Sequence, residues 1–217
     1  ASSSDKYPFY NVKGFETLVL KGTSFLDVMS SSMKSSVKSI EGLENISGFS
    51  SSALENTYNL KAEVSLTSKV TSIGSNAFKN SGLTFTSVDL TGCASSGSVG
   101  TNAFTGTTVK KLVVNNNGVK ATYNNYSVAS SSDKYPFYNV KGFETLELKY
   151  GTTAMPNVLS ASMRTTISNF VATKTLKEIS NNAFENCKKL TKITLPYGVK
   201  TYENTFKGCN ASVSYTL

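Results

Sequence analysis

A stacked repeat solenoid built on a parallel β-sheet is the fold class this sequence predicts, and three observations predict it. An 18-residue segment, Ala1 to Leu18, recurs unchanged as Ala129 to Leu146. A large apolar anchor returns at intervals of 21 to 26 residues along nearly the whole chain. Between anchors lie short apolar-polar alternations, too brief to be stable strands unless neighbouring units stack on them.

The anchors are Phe9, Met33, Leu54, Phe78, Phe104, Tyr126, Phe137, Met163, Phe184 and Phe206, with successive gaps of 24, 21, 24, 26, 22, 11, 26, 21 and 22 residues. Such a period is too short for a domain and too long for a lone strand or helix, so each unit is one turn of a coil, and its length is that of a leucine-rich repeat. The whole chain, 1–217, then reads as one leucine-rich-repeat solenoid of about nine or ten coils, with the parallel sheet on its concave face. At a strand spacing of about 4.8 Å this is an object roughly 45 Å long. The half-length gap from Tyr126 to Phe137 predicts an irregular junction near 126–137.

Within a coil, "LTKITLP" (Leu190 to Pro196) fits a short strand with Leu190, Ile193 and Leu195 inward and Lys192 and Thr194 outward, ended by Pro196. Phe78, Phe104, Phe184 and Phe206 are expected to stack as an aromatic ladder. The Asn after many anchors (Asn11, Asn56, Asn80, Asn139, Asn186) suits a tight turn, where a side-chain amide can serve open backbone groups. Cys187 and Cys209 both fall three residues beyond an anchor, where Val12 and Val140 stand in other coils, so they read as reduced, small core residues.

Three stretches carry a family resemblance: "IGSNAFKNSGLTFTSVDL" (Ile73 to Leu90), "VGTNAFTGTTVKKLVV" (Val99 to Val114) and "ISNNAFENCKKLTKITLPYGVKTYENTFKGC" (Ile179 to Cys209). They resemble BspA-type leucine-rich repeats. The resemblance implies a curved right-handed solenoid on the surface of bacteria or parasitic protists, with a role in adhesion. Met33 and Met163 depart from the family's Phe, and Val37 to Ile46 is degenerate.

Composition narrows the chemistry. The chain has no His, which excludes Ser-His-Asp and Cys-His catalysis and leaves any zinc site only Cys and carboxylates. Acidic residues are sparse; Glu41 and Glu44 are neighbours but are expected to face solvent. "SSGSVG" (Ser95 to Gly100) lacks the Lys-Ser or Lys-Thr of a phosphate loop and reads as a surface loop. Neither an enzyme, a cofactor nor a metal is expected. The net charge of +8 arises from 22 Lys and Arg against 14 Asp and Glu, yet Arg164 is the sole arginine, which argues against nucleic-acid readout. No apolar run approaches the ~20 residues of a membrane-spanning helix.

Binding through the concave sheet is what remains. Its outward positions are expected to be Thr17 and Val19, Glu63 and Ser65, Ser87 and Asp89, Lys111 and Val113, Thr145 and Glu147, and Lys192 and Thr194. Their mixed charge and lack of aromatics indicate neither a polyanion track nor a sugar platform on that face. The expected protein is a monomeric, extracellular or cell-surface adhesion module for a host or neighbouring-cell protein or glycan. The alternative is a structural spacer that projects another domain.

Overall fold

Each coil devotes three to six residues to a strand in which Leu, Ile, Val or Phe points inward and polar residues point out. The strands are β1 (Thr17–Val19), β3 (Ser39–Glu41), β5 (Glu63–Leu66), β7 (Thr84–Asp89), β9 (Lys111–Val114), β10 (Thr145–Leu148), β11 (Asn169–Val171), β12 (Lys192–Pro196) and β13 (Ser212–Thr216). All pair in parallel: β5, β7, β9, β10 and β11 form a continuous sheet, β1 pairs with β3, and β12 with β13. Register places like on like, with Leu146 opposite Leu112 and Leu148 opposite Val114. The computed structural model describes residues 9–93, 98–115 and 135–216, and the chain is a parallel β-solenoid of about seven turns.

Seven anchors are enclosed: Met33, Leu54, Phe78, Phe104, Phe137, Met163 and Phe184. Phe9, at 47% exposure, and the half-buried Phe206 lie toward the two ends of the described stack. Tyr126 lies outside the described residues, and the anchors on either side of it meet directly. The Phe104 and Phe137 rings stack at 5.1 Å, the Phe104 amide donates to the Pro136 carbonyl at 2.8 Å, and β9 pairs with β10. Seven turns correspond to roughly 35 Å along the stack.

A second line of contact joins β2 (Ser24–Phe25), β4 (Gly48–Phe49) and β6 (Ser72–Ile73), and continues through a bridge from Ile73 to Val99. Val99 and Ser98 are buried there, so this end of the expected surface loop is core; residues 94–97 lie outside the described residues. Across the junction β8 (Thr108–Val109) pairs with β7, and Thr108 bridges to Lys141. In the second half Ala154, Glu178 and Lys200 form the corresponding bridges.

The third line runs through the anchor turns. Ser52, Leu54 and Asn56 donate their amides to Ser75, Ala77 and Lys79 of the next coil, and Asn76, Phe78 and Asn80 repeat this toward Thr101, Ala103 and Thr105. The first and last of each three donors, Ser52 and Asn56 and then Asn76 and Asn80, adopt left-handed backbone, a conformation that disfavours side chains other than Asn and Gly. All five Asn residues after the anchors are left-handed, with φ from 51° to 62°. Asn76, Asn102 and Asn182, two residues before their anchors, are left-handed as well, and Gly106 and Gly208 replace the later Asn in their coils.

Where those Asn and Gly residues are lacking, the turn changes. The stretches "SSMKSS" and "ASMRTT" form short helices, α1 (Ser31–Ser36) and α2 (Ala161–Thr166), capped by Ser30 and Ser160 through bonds of 3.4 Å to the Met33 amide and 3.5 Å to the Met163 amide. The degenerate-looking stretch after α1 is regular in structure, since Val37, Leu43 and Ile46 fill core positions and β3 pairs with β1.

Candidate binding face

The outward residues of the sheet form two rows. Ser65, Ser87, Lys111, Thr145 and Asn169 lie in one; Asp89, Val113, Glu147 and Val171 lie in the other. Thr17 and Ser39, with Val19 and Glu41, continue them on β1 and β3, as do Lys192, Ser212, Thr194 and Ser214 on β12 and β13. Sequence reasoning missed Ser39, Glu41, Asn169, Val171, Ser212 and Ser214, whose strands lack a strong apolar alternation.

One expected position is corrected, Val113, and one neighbour relation differs from equal counting. The register shifts between Val64 and Ser65, so Glu63 lies opposite Thr84 and Ser65 opposite Ser87, whereas equal counting would put Glu63 beside Ser87. Thr86 is the extra residue, and its hydroxyl reaches Ser65 Oγ at 2.6 Å. Val113, expected to face solvent, is only 5% exposed because a complete strand flanks it on each side, with Asp89 and Glu147 opposite. The remaining candidates, Thr17, Val19, Glu63, Ser65, Ser87, Asp89, Lys111, Thr145, Glu147, Lys192 and Thr194, are all exposed or half-buried.

The face is largely self-satisfied. Lys111 Nζ meets Glu147 Oε2 at 2.5 Å, and Lys110 Nζ meets Glu63 Oε1 at 3.2 Å. Hydroxyls pair across strands at Thr17–Ser39 (2.9 Å) and Thr194–Ser214 (3.2 Å). Asp89 Oδ1 accepts from the Thr91 amide at 2.9 Å and from its hydroxyl at 2.5 Å, which caps the end of β7. The result is a rigid grid of small hydroxyls with a few neutralised charges.

Elsewhere the polar groups are structural. Lys34, 8% exposed, pairs with Asp27 at 2.7 Å and donates to the Ser52 carbonyl of the next coil at 2.5 Å. Its counterpart Arg164 donates to the equivalent Asn182 carbonyl at 3.1 Å and to Glu185 at 3.0 Å. Lys34 and Asp27, paired with each other, line a cavity of about 280 Å³ with Glu55, Asn56 and Tyr58. Among the described residues, no three His, Cys, Asp or Glu side chains gather as metal ligands would.

The position three residues beyond the anchor is a buried slot, held by Val140 and Cys187 as expected and also by Thr57, Ser81 and Thr107. Thr57 and Thr107 donate to the anchor carbonyls at 2.8 and 2.6 Å, and Cys209 does likewise to Phe184 of the preceding coil at 2.9 Å. Cys93, Cys187 and Cys209 are free thiols. Burial pushes Cys93 up to about 11 and Cys187 up to about 12, the Arg164 guanidinium opposing the latter, and burial raises Cys209 as well. Because the folded thiols hold their protons more tightly than the ordinary 9.0, this contribution to stability is complete below pH 9 and is lost as pH rises through the folded values. At pH 8 iodoacetamide should therefore modify the half-buried Cys209 first and the other two only on unfolding, as read by intact mass. Loss of two thiols without reductant would instead reveal a Cys187–Cys209 disulfide.

Stacked anchors, parallel strands and a polar outer grid define a leucine-rich-repeat solenoid. The family model of the BspA type leucine rich repeat region matches in six copies over residues 2–84 and 97–217, and the chain belongs to that family. Its repeats are typically non-catalytic, surface-associated binding modules. No curated protein and no solved structure matches the chain. Among the described residues, no helix is long and apolar enough to cross a membrane.

Proposed function

We propose that this chain is the binding region of a secreted or cell-surface adhesion protein and engages a host or neighbouring-cell protein or glycan, as a monomer, through the outer face of its strands. The supporting observation is the row of Ser65, Ser87, Thr145 and Asn169, exposed or half-buried, that parallel register holds in line on the outer face of β5, β7, β10 and β11. A preorganised grid of hydrogen-bonding groups loses little entropy on binding and recognises by pattern. The pairing of Lys111 with Glu147 and of hydroxyls with one another favours a second reading, a spacer whose face only keeps the sheet solvated.

Ser65→Arg with Thr194→Arg tests both readings. Both residues are exposed, so thermal stability should remain within about 2 °C of wild type. Binding to cells and immobilised matrix proteins should fall about tenfold or more. Undiminished binding would place the contact on another face, and a wild-type chain that binds nothing would establish the spacer.

A further inference from the structure

Among the described residues, the two most exposed aromatic side chains lie on the turns that follow the sheet strands in the second half of the chain. Tyr150, after β10, is 79% exposed and Tyr197, after β12, is 80% exposed. Pairing of Thr145 with Asn169 places Tyr150 level with Lys174 on the next coil, and the same count along β12 places Tyr197 level with Lys174 on the coil beyond. Bridges from Ala154 to Glu178 and from Glu178 to Lys200 keep the three coils in step. The two turns thus lie two rungs apart, about 10 Å, with the exposed Lys174 on the turn between them.

These turns are held firmly. Tyr150 and Tyr197 each precede a left-handed glycine, Gly151 (φ 93°) and Gly198 (φ 80°), which turns the chain back toward the core and leaves the ring outside. The Gly151 amide donates to Thr175 Oγ1 at 2.9 Å, and the Tyr197 amide to the Thr216 carbonyl at 2.9 Å. In the sequence duplication the first copy reads Leu20-Lys21-Gly22 where the second reads Leu148-Lys149-Tyr150-Gly151, so Tyr150 is an added residue that serves no core position. Nothing in the packing calls for either ring.

The surroundings are basic. Lys149 and Lys177 are exposed beside the rings, and none of the ion pairs among the described residues involves Lys149, Lys174 or Lys177. Lys200 lies 4.7 Å over the Tyr202 ring, whose hydroxyl bonds Glu178, a carboxylate within the strip.

We propose that this strip binds an acidic polysaccharide, with Tyr150 and Tyr197 stacked on alternate sugar rings and Lys149, Lys174 and Lys177 receiving its carboxylate or sulfate groups. Two separate flat faces at a fixed interval along a rigid axis suit a periodic polymer of flat rings, whereas a globular protein partner would call for a contiguous apolar patch. The interval of two rungs matches two β-linked pyranose units. Lysines rather than arginines supply the charge, which favours carboxylate or sulfate over the planar recognition of nucleic acid.

Calorimetry with chondroitin sulfate and with poly-β-mannuronate, both acidic and β-linked, should show binding that weakens with added salt. Cellohexaose, poly-glutamate and a single-stranded oligonucleotide should bind far more weakly. Tyr150→Ala with Tyr197→Ala, and separately Lys174→Glu, should each weaken acidic-polysaccharide binding about tenfold or more at unchanged melting temperature. Equal binding by the tyrosine variant, equal binding of cellohexaose, or stronger binding of poly-glutamate or the oligonucleotide would each overturn the proposal. The Ser65→Arg, Thr194→Arg chain should keep its polysaccharide affinity, so this strip and the sheet face can fail independently.

Discussion

Replacing Phe104 by alanine should destabilise the protein by about 3–5 kcal/mol, the range for a fully buried aromatic whose neighbours cannot collapse into the gap. The ring is wholly enclosed and touches three others: Phe78 at 5.2 Å and Phe137 at 5.1 Å, both stacked, and Phe85 edge-on at 5.4 Å. It is also the joint between the duplicated modules, since its ring and amide meet Phe137 and Pro136 of the second copy directly. Stability in a solenoid is a sum of coil and nearest-neighbour terms, so a weakened joint lets the halves melt separately. Urea unfolding should split from one transition into two, and the melting temperature should drop by roughly 10 °C. Phe206→Ala, at a half-buried anchor stacked on one side only, should cost much less. A single transition shifted by less than about 1 kcal/mol would contradict the ladder's structural role.

The features legible in the sequence are those that recur in kind as well as in place. The anchors repeat as Phe or a residue of similar bulk, so their stacking could be read from spacing alone, and Asn after the anchor announced a turn that does require its left-handed backbone. The slot three residues further on was seen only where Val or Cys filled it. Thr57, Ser81 and Thr107 serve equally well by donating to a carbonyl, so chemically different residues conceal one position. The candidate face was partly visible, because alternation assigns residues to a side of a strand, while register decides their neighbours. One extra residue, Thr86, displaces Glu63, and the Lys111–Glu147 pair joins two strands 34 residues apart at their starts, β9 and β10, which an even repeat count would not make neighbours. The exposed Tyr150 and Tyr197 follow no core periodicity, and only their stacked turns bring them together.

Gly74→Ala should cost about 3 kcal/mol or more, because the added carbon meets backbone that cannot rotate away. A Cβ on Gly74 would lie 2.3 Å from the Ser51 nitrogen, 2.6 Å from the Ser50 carbonyl carbon and 2.7 Å from the Ser51 Cα. Relief would require adjacent coils to separate, yet the Gly74 amide donates to the Phe49 carbonyl of the preceding coil at 2.7 Å, and Gly100 repeats both the close approach and the bond one coil later. Ser50 and Ser180 hold the same position above α1 and α2, where the preceding turn is helical and leaves room for a side chain. Gly198→Ala separates steric from conformational cost, since Gly198 has a φ of 80° but no atom within 4 Å of where a methyl group would stand, and should lose only about 1 kcal/mol. Chemical denaturation of the two variants side by side decides the matter: equal losses would mean that glycine is needed at Gly74 for backbone freedom, whereas a loss several times larger at Gly74 locates the constraint in the close packing of one coil on the next.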